Sequence, residues 1–359
     1  MRIAIIAGAR PNFMKIAPII DAILNAQKNG LNISYRLIHT GQHYDEKMSK
    51  SFFDELNIPL PDINLECGGG TQAQQTASIM LKFEEDLIKN PVDLVLVVGD
   101  VTSTMACSIV AQKLKTKVAH VEGGIRSGDW DMPEEINRLV TDSISNYFFT
   151  TSETANQNLI NSGTNPKNIY FVGNTMIDTL LKNENKFSKP DIFDFFGLEE
   201  KKYFVLTIHR PSNVDSPEKF HSILKEIMEN SDGLPIIFPV HPRTRKNLEG
   251  ISYPQFHFVE PMNYLSFNFL VKHSIAVITD SGGITEETTV LGIPCITLRD
   301  STERPETCTI GTNILIGTDP RHIKPTLEKL FKKEWQVGAI PPLWDGKAAE
   351  RIINVLLNL

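Results

Sequence analysis

The stretch AHVEGGIRSGDWDMPEEINR, residues 119–138, contains the pattern that decides the fold. It begins with apolar, β-rich sequence that stops at Glu122 and two glycines. After a loop, Pro133 and two glutamates mark the start of a helix, because proline suits the first helical position and acidic residues suit the first turn. A strand, a loop and a helix start therefore follow one another, with carboxylates at both the strand end and the helix start.

The same strand–loop–helix pattern recurs along the whole chain. Short continuous runs of Val, Ile and Leu alternate with longer amphipathic segments, which is typical of parallel strands that helices cover on both faces. We predict strands at residues 3–7, 34–39, 94–98, 118–121, 147–150, 169–172, 204–207, 236–240, 257–259, 276–279, 295–297 and 314–316. The pattern predicts an α/β protein with two successive doubly wound units.

The length of the chain supports two domains. A chain of 359 residues is too long for one simple core. Residues 183–202 are polar, contain proline and lack a clear period, so we expect them to form a linker. We predict an N-terminal domain over residues 1–182, a C-terminal domain over residues 203–344 and a closing helix over residues 345–359.

Composition and charge argue against several classes of protein. The net charge of −7 disfavours a protein that coats nucleic acid or an anionic membrane. No apolar run approaches the about 20 residues of a transmembrane helix, and the chain opens on a strand instead of a signal peptide. The cysteines are far apart and lack metal-ligand spacing, which indicates reduced thiols and no metal site. We therefore expect a cytoplasmic enzyme.

Polar and charged residues follow nearly every predicted strand. Ligands of open α/β sheets bind at the carboxyl ends of the strands, so these residues are the candidates for function. In the first unit they lie in GARPNFMK (8–15), TGQHYD (40–45), GDVTST (99–104) and the stretch quoted above. In the second unit they lie in HRPSN (209–213), HPRTR (241–245) and DSGGITEE (280–287).

The segment DSGGITEE is typical of an anion site. Ser281, Gly282 and Gly283 stand between a strand and a helix, where backbone N–H groups and the helix dipole can bind a phosphate or diphosphate. Glu287, about one turn into the helix, could accept hydrogen bonds from two ribose hydroxyls. The alternative is a serine N-cap with an acidic first turn, and the segment alone supports both interpretations equally.

Arg10 and Lys15 stand at the start of the first predicted helix. The segment lacks the G-x-G-x-x-G spacing of a dinucleotide site. The two cations could flank a phosphate, although the segment alone is more typical of a solvated basic helix start.

Asp100, Glu122 and Glu134 are three carboxylates at the edge of one predicted sheet. Enzymes that move protons to and from carbon use such sets, because different environments separate their pKa values. Alternatively, Asp100 caps the following helix, and Glu134 adds favourable charge at a helix start, worth about 0.3–1 kcal/mol. Separate structural roles would place the three carboxylates at one sheet edge only by coincidence. An active site explains their position better.

Two strands of the second unit are followed by histidine and arginine. His209 with Arg210 could donate a proton or bind a phosphate, although a lone histidine is more often structural. His241 and Arg243 repeat the pattern and fit better with the nucleotide side.

Together these motifs resemble a known family. In the order found in bacterial UDP-N-acetylglucosamine 2-epimerases, the chain contains GARPNFMKIAPI, TGQHYDEKMS, GDVTST, HVEGGIRSGD, PEEINR, HRPSN, DSGGITEE and TERPET. The match is collinear from Ile3 to about Gly317. Any one motif is weak evidence, whereas eight in order are specific.

The resemblance implies two Rossmann-like domains that face each other across a cleft, the glycosyltransferase-B architecture. The N-terminal domain would hold the sugar, the C-terminal domain would hold UDP, and the C-terminal helix would pack back onto the first domain. The family interconverts UDP-N-acetylglucosamine and UDP-N-acetylmannosamine, a polysaccharide precursor, through 2-acetamidoglucal. Members of the family need neither a metal nor a nicotinamide cofactor, and the resemblance also implies a homodimer.

The resemblance also assigns roles to individual residues. The implied catalytic residues are Asp100, Glu122, Glu134 and His209. The residues implied to bind substrate are Arg10, Lys15, Gln42, His43, Arg138, Arg210, His241, Arg243, Ser281, Gly282, Gly283 and Glu287.

Three alternatives stay open at this point. The substrate could be another UDP-sugar, such as UDP-2,3-diacetamido-glucuronate. The enzyme could hydrolyse the bond to UDP as it epimerises the sugar. The protein could also be a UDP-sugar glycosyltransferase, which shares the architecture but needs fewer carboxylates.

Overall fold

The structure is a computed structural model that describes residues 1–42, 53, 55–240, 242–248 and 253–359, without the side chains of residues 242, 243 and 246. The described chain forms two compact units. Unit 1 comprises Met1–Lys182 and Pro342–Leu359, and unit 2 comprises Asn183–Pro341. The predicted site residues His43 and His241, and the side chain of Arg243, lie outside the described residues.

Unit 1 is built on a parallel sheet with helices between its strands. Its strands are β1 (Arg2–Ala7), β2 (Ser34–His39), β3 (Ile63–Asn64), β4 (Leu94–Val98), β5 (Lys117–Val121), β6 (Tyr147–Thr150) and β7 (Ile169–Phe171). Helices in the described part of unit 1 include α1 (Arg10–Lys28), α2 (Gln72–Lys89), α3 (Thr102–Lys113), α4 (Pro133–Ile144), α5 (Glu153–Asn161) and α6 (Thr175–Asn183). The strand order is β3-β2-β1-β4-β5-β6-β7. The order reverses between β1 and β4, which is where ligands bind in doubly wound sheets.

The central strand β4 and the helix α2 show why these segments fold as they do. All five residues of β4, LVLVV, are buried between β1 and β5, so a continuous apolar run is required. α2 buries Ile79, Phe83 and Leu87, which lie on one helical face. Thr71 and Gln74 form a capping box at its start, because each side chain bonds the other residue's backbone N–H. Truncating Phe83 to alanine should cost roughly 3–5 kcal/mol.

Unit 2 is built on a second parallel sheet. Its strands are β8 (Phe204–Thr207), β9 (Ile236–Pro239), β10 (Phe256–Val259), β11 (Ala276–Thr279), β12 (Cys295–Thr297) and β13 (Asn313–Leu315). Its helices are α7 (Asp191–Phe195), α8 (Pro211–Val214), α9 (Pro217–Asn230), α10 (Pro242–Arg245), α11 (Tyr264–His273), α12 (Gly282–Leu291), α13 (Pro305–Thr309) and α14 (Ile323–Phe331). The strand order β10-β9-β8-β11-β12-β13 reverses between β8 and β11.

The last helix, α15 (Ala348–Leu356), belongs to unit 1 and packs against α1. Asp178 in α6 caps it, because its carboxylate accepts hydrogen bonds from the backbone N–H groups of Ala348 at 3.1 Å and Ala349 at 2.7 Å. Burial raises the pKa of Asp178 to about 6, although these hydrogen bonds act in the opposite direction. Trp344 is buried just before the helix and donates from Nε1 to the carbonyl of Thr151 at 3.0 Å.

These two parallel sheets confirm the predicted α/β fold class. Each predicted strand coincides with an observed strand to within one residue at either end. The two-residue strand β3 was not predicted, because two residues carry no detectable period. Among the described helices, none is long and apolar enough to span a bilayer.

Candidate functional site

Asn12 fixes the start of α1 beside the ends of two strands in unit 1. Its buried side chain accepts hydrogen bonds from the backbone N–H groups of Gly8 at 3.0 Å and Ala9 at 2.9 Å. The same side chain donates to the carbonyl of Val98, the last residue of β4, at 3.0 Å. The first turn of α1 is therefore held at the carboxyl edge of the sheet, with Arg10 exposed as its first residue.

Glu122 and Lys15 form an ion pair at this edge. Lys15 Nζ lies 2.6 Å from Glu122 Oε2, and the Glu122 side chain is only 3% exposed. Glu122 follows β5 with a φ of 70°, a conformation that costs a non-glycine residue about 1–3 kcal/mol and often marks a functional position. A Cβ on Gly99 would lie 3.3 Å from Lys15 Nζ and 3.7 Å from Glu122 Oε2, so the pair lies directly against the residue after β4.

Asp100 is bound by Arg138, which reaches the edge from α4. Arg138 donates to Asp100 Oδ2 from Nη2 at 2.6 Å and from Nε at 3.0 Å. Asn137 donates from Nδ2 to the backbone carbonyl of Asp100 at 2.8 Å. Arg138 is buried, whereas the Asp100 side chain is 31% exposed. Arg138 therefore holds the Asp100 carboxylate in place and leaves part of it exposed to solvent.

Glu135 supports Arg138 and was not predicted as a site residue. It accepts a hydrogen bond from Arg138 Nη1 at 2.7 Å, and it accepts from the backbone N–H of Ser127 at 2.9 Å and of Gly128 at 3.2 Å. Burial alone would raise the pKa of Glu135, but the hydrogen bonds from Ser127, Arg138 and Gly128 outweigh burial and lower it. The neighbouring Glu134, which was predicted, is half-buried in the first turn of α4.

The side chain of Gln42 contacts the first turn of α3, next to the same edge. Its Oε1 accepts from the backbone N–H of Ser103 at 3.2 Å and from Ser103 Oγ at 2.8 Å. A Cβ on Gly8 would lie 2.3 Å from Ser103 Oγ, so the close approach of these loops requires glycine at residue 8. The ends of β1, β4 and β5 thus bring together five of the predicted residues, namely Lys15, Gln42, Asp100, Glu122 and Arg138.

The carboxyl edge of unit 2 is organised around Asp280, which follows β11 and is fully buried. Its carboxylate lies 2.9 Å from His209 Nδ1 and accepts from the backbone N–H groups of His209 and Arg210 at 3.0 and 2.8 Å. It also accepts from Asn213 Nδ2 at 3.1 Å. Burial opposes ionisation of Asp280, but the contacts with His209, Arg210 and Asn213 outweigh it and lower the pKa. Asp280 therefore fixes the half-exposed His209 ring through Nδ1, with Nε2 on the opposite side.

A carboxylate from within the chain lies at the N-terminus of α12. Ser281 is the N-cap residue, but its side chain makes no capping hydrogen bond. A Cβ on Gly282 would lie 2.9 Å from Glu303 Oε1, and Glu303 Oε2 lies 2.6 Å from Arg299 Nη2. Arg210 Nη2 is 4.0 Å from the same carboxylate. Arginines and a helix N-terminus surround a negative charge here, which favours the anion-site interpretation over a simple serine cap.

Glu287 is buried one turn further along α12. Its Oε1 accepts a hydrogen bond from the Tyr264 hydroxyl at 2.7 Å. Burial raises the pKa of Glu287 to about 7; the Tyr264 hydrogen bond opposes the rise, and the nearby charge of Glu286 adds to it. Glu286 itself forms a buried ion pair with Arg304. Glu287 can therefore change its protonation state near neutral pH.

No group of three or more His, Cys, Asp or Glu in the described part of the chain is arranged to hold a metal ion. The carboxylates at the two sheet edges instead pair with Lys15, Arg138 and Arg299, and with His209. Unit 1 therefore has ion-paired carboxylates at its sheet edge, and unit 2 has an oriented imidazole and a helix N-terminus close to arginines.

Comparison with known proteins covers almost the whole chain. The model of the family described as UDP-N-acetylglucosamine 2-epimerase matches residues 25–357. The chain is 42% identical to the UDP-N-acetylglucosamine 2-epimerase of Methanocaldococcus jannaschii over 99% of both chains. It is 36% identical to the UDP-2,3-diacetamido-2,3-dideoxy-D-glucuronate 2-epimerase of Pseudomonas aeruginosa over 100% of both chains.

A solved structure matches the fold over its full length. The crystal structure of the Methanocaldococcus jannaschii UDP-GlcNAc 2-epimerase in complex with UDP-GlcNAc and UDP gives a TM-score of 0.88 at 42% identity, covering 100% of both chains. The sequence match and the structural match both cover nearly the whole chain. The chain belongs to the UDP-N-acetylglucosamine 2-epimerase family.

Proposed function

We propose that this protein is a non-hydrolysing UDP-N-acetylglucosamine 2-epimerase that interconverts UDP-GlcNAc and UDP-ManNAc and so supplies polysaccharide precursors. The observation that carries the proposal is the full-length similarity to the Methanocaldococcus jannaschii epimerase, which binds UDP-GlcNAc and UDP in its crystal structure. The paired carboxylates at the edge of unit 1 supply the acid–base groups that this chemistry requires.

The proposed reaction proceeds by elimination and re-addition. A base removes the proton at C2 of the sugar while the C1–O bond to UDP breaks, which gives 2-acetamidoglucal and UDP. A proton then adds to C2 from the opposite face, and a UDP oxygen adds back to C1. Proton transfer by positioned groups contributes about 10²–10⁴-fold to such a rate. The remaining acceleration comes from stabilising the charge on the departing diphosphate.

In this proposal the carboxylates of unit 1 exchange protons with C2. Lys15 holds the Glu122 carboxylate, the proposed proton acceptor, in place through a contact of 2.6 Å. Arg138 holds Asp100 in place while leaving part of its carboxylate exposed. Glu134, half-buried at the start of α4, is the third member of the set.

Unit 2 holds UDP in this proposal. The diphosphate binds the backbone N–H groups of residues 281–283 at the N-terminus of α12, with Arg10 and Arg210 as further cations. Glu287 accepts hydrogen bonds from the ribose hydroxyls, and residues 42–43, 241 and 243 complete the substrate contacts. His209, oriented by Asp280, acts on the sugar or on the departing phosphate.

We also propose a homodimer that works in the cytoplasm, without a cofactor and without nucleic acid. Leu81 and Ile88 lie seven residues apart on α2 and are 65% and 63% exposed, which is typical of a helix face that a second subunit covers. All four cysteines are free thiols, as is usual in a reducing compartment. Light scattering on a size-exclusion column should give twice the chain mass, and a monomer would contradict the dimer.

The relative from Pseudomonas aeruginosa favours one alternative substrate. That protein is named for UDP-2,3-diacetamido-2,3-dideoxy-D-glucuronate and aligns over 100% of this chain. The same elimination and re-addition would apply, because the reacting atoms C1 and C2 are equivalent in both sugars. The second candidate is therefore a 2-epimerase for this other UDP-sugar.

Proton NMR in D2O tests the proposed function. The protein is incubated with UDP-GlcNAc, and the signal of the C2 proton is followed. Loss of that signal, with UDP-ManNAc formed and UDP still attached, is the expected result. Release of free UDP with N-acetylmannosamine would make the enzyme hydrolysing. Absence of exchange with UDP-GlcNAc, but exchange with the diacetamido-glucuronate, would establish the second candidate, and UDP binding without exchange of either sugar would favour a glycosyltransferase.

A further inference from the structure

A buried cluster of charged side chains lies beneath the loop that carries Glu122. His120, in β5, is fully buried, and its Nδ1 lies 2.7 Å from Asp142 Oδ1. Asp142, in α4, also accepts from Arg126 Nη1 at 2.6 Å and from the backbone N–H of Gly124 at 3.0 Å. His120, Asp142 and Arg126 were not assigned to the site from sequence, and none of them is among the proposed catalytic residues.

Both ring nitrogens of His120 have a hydrogen-bond partner in this cluster. His120 Nε2 lies 2.8 Å from the carbonyl of Gly99, which can only accept, so Nε2 carries a proton. Burial opposes ionisation of Asp142, but His120 and Arg126 outweigh it and lower the pKa, so its carboxylate also accepts from Nδ1. A carboxylate therefore holds Nδ1 of the buried His120 ring, and a backbone carbonyl holds Nε2.

The cluster touches the backbone next to two of the three proposed acid–base residues of unit 1. The His120 ring binds the carbonyl of Gly99, which directly precedes Asp100. Asp142 binds the N–H of Gly124, two residues after Glu122. A Cβ on Gly124 would lie 2.3 Å from the carbonyl of Ala155, so this glycine packs tightly and does not act as a hinge. One side-chain pair therefore clamps the loops that carry Asp100 and Glu122.

We propose that His120 and Asp142 are positioning residues that fix Glu122 and Asp100 relative to each other for proton transfer at C2. The proposal rests on the function proposed above. Packing alone gives a weak reason for the cluster, because burying two or three charges is costly and apolar side chains of similar volume often stabilise as well. A misplacement of about 1 Å in an active site, by contrast, can lower the rate about 10²-fold.

Two variants of His120 separate its two contacts. In His120→Gln the side-chain amide can still donate to the Gly99 carbonyl, as Nε2 does, but the bond to Asp142 is lost. In His120→Asn the shorter side chain can still reach Asp142, but the bond to Gly99 is lost. The carboxylate of Asp142 keeps its bonds to Gly124 and Arg126 in both variants, so the two differ chiefly at Asp100.

The expected result is a difference in kcat between these variants without a difference in UDP binding. We expect His120→Asn to lower the rate of C2 exchange about 10²-fold and His120→Gln to lower it less than about tenfold. Calorimetric Kd values for UDP should stay within about twofold of the wild type. Equal losses of kcat in the two variants, or losses that follow thermal stability alone, would overturn the proposed positioning role.

Asp142→Asn and a matched control distinguish a positioning role from a general loss of stability. The amide in Asp142→Asn has only one acceptor oxygen, so it cannot accept from His120 on one side and from Gly124 and Arg126 on the other, and we expect a roughly tenfold lower kcat at unchanged KM. Asp86→Asn is the control, because Asp86 is a buried carboxylate paired with Arg36 in the same unit but on α2. The control should lower Tm and leave kcat unchanged; a kcat loss in Asp86→Asn equal to that in Asp142→Asn would contradict the positioning role.

Amide hydrogen exchange tests positioning without requiring activity. His120→Asn should speed exchange in residues 99–104, and Asp142→Asn should speed exchange in residues 122–128, relative to wild type and Asp86→Asn. Unchanged exchange in both segments would overturn the positioning role even if the protein is an active epimerase. Failure of the wild type to exchange the C2 proton would instead overturn the proposed function, while the amide exchange would still decide whether the clamp exists.

Discussion

The carboxyl edges of the two sheets hold their carboxylates in different ways. In unit 1, side-chain cations bind them: Lys15 binds Glu122, and Arg138 binds Asp100. In unit 2, Asp280 receives two backbone N–H groups in addition to its side-chain contacts. The two units share a type of fold but differ at this edge. Unit 1 has carboxylates paired with side-chain cations, whereas unit 2 has a carboxylate that backbone N–H groups hold. Changes in unit 1 should therefore act on kcat, and changes in unit 2 should act on binding or orientation.

The largest effect is expected for Glu122→Gln. The amide cannot accept a proton from C2, so kcat should fall by about 10²–10⁴-fold, the usual contribution of a general base. Affinity for UDP should stay nearly unchanged, because most of the proposed UDP contacts lie in unit 2 and Glu122 is not one of them. Deuterium incorporation at C2 and calorimetry with UDP measure the two quantities. Glu84→Gln, an exposed change on α2, is the control, and normal turnover in Glu122→Gln would remove Glu122 from the mechanism.

Asp280→Asn should reduce activity next most strongly. The amide can donate to Nδ1, where the carboxylate can only accept, so the substitution would change the orientation and the hydrogen-bonding roles of the His209 ring. We expect kcat to fall about 10²-fold with a shifted pH profile. Steady-state kinetics between about pH 6 and pH 9 provide the measurement. An unchanged pH profile would show that Asp280 does not act through His209.

Glu287 tests whether unit 2 binds UDP in a pH-dependent way. Because burial raises its pKa to about 7, most of the carboxyl is protonated at pH 6 and ionised at pH 8. Ribose hydroxyls donate to the ionised form, so UDP affinity should rise by about tenfold from pH 6 to pH 8. Glu287→Gln should bind UDP more weakly at pH 8 and lose this part of the pH dependence. Parallel pH profiles for the two proteins would contradict the assignment to ribose, since the titration of UDP itself is common to both.

The smallest effect on catalysis is expected at Asp178, a carboxylate of unit 1 that backbone N–H groups hold in the manner of unit 2. Its pKa in the folded protein, about 6, lies above the ordinary value of 3.8. Stability should therefore fall as the pH rises from about 4 to about 6, by at most about 3 kcal/mol. Thermal unfolding of the wild type and Asp178→Asn over this pH range measures it. The difference in Tm should change with pH while kcat at pH 8 stays the same; a constant difference would contradict the raised pKa.

Much of the fold could be predicted because buried parallel strands leave a direct signal. The run LVLVV at Leu94–Val98 is continuously apolar and too short to be anything but a buried strand, and both of its faces are covered in the structure. The strand ends also marked Asp100 and Glu122, because acidic residues that directly follow such runs lie at the ligand-binding edge. The short strand Ile63–Asn64 could not be found, since its position depends on pairing with β2.

Of the buried charged residues on α4 that support the site, Arg138 was predicted from the sequence, whereas Glu135 and Asp142 were not. Glu135, Arg138 and Asp142 are spaced by three and four residues, so they share one face of α4, and all three are buried. Charged residues at this spacing are usually a solvated face with i,i+3 and i,i+4 pairs. What distinguishes this helix is the loop over residues 122–128, whose backbone N–H groups bond Glu135 and Asp142. A loop contact of that kind depends on the folded backbone and leaves no periodic signal.

The attachment of α15 to unit 1 has a consequence for the order in which the chain folds. Unit 2 is continuous in sequence, whereas unit 1 is completed by Pro342–Leu359. During synthesis at about 5–20 residues per second, Asp178 is therefore exposed for roughly ten to thirty seconds, and α1 for about twice as long, before the helix that covers them has been made. Unit 2 is synthesised second but can finish folding first. Unit 1 cannot be completed until Pro342–Leu359, which follows unit 2 in the sequence, has been made.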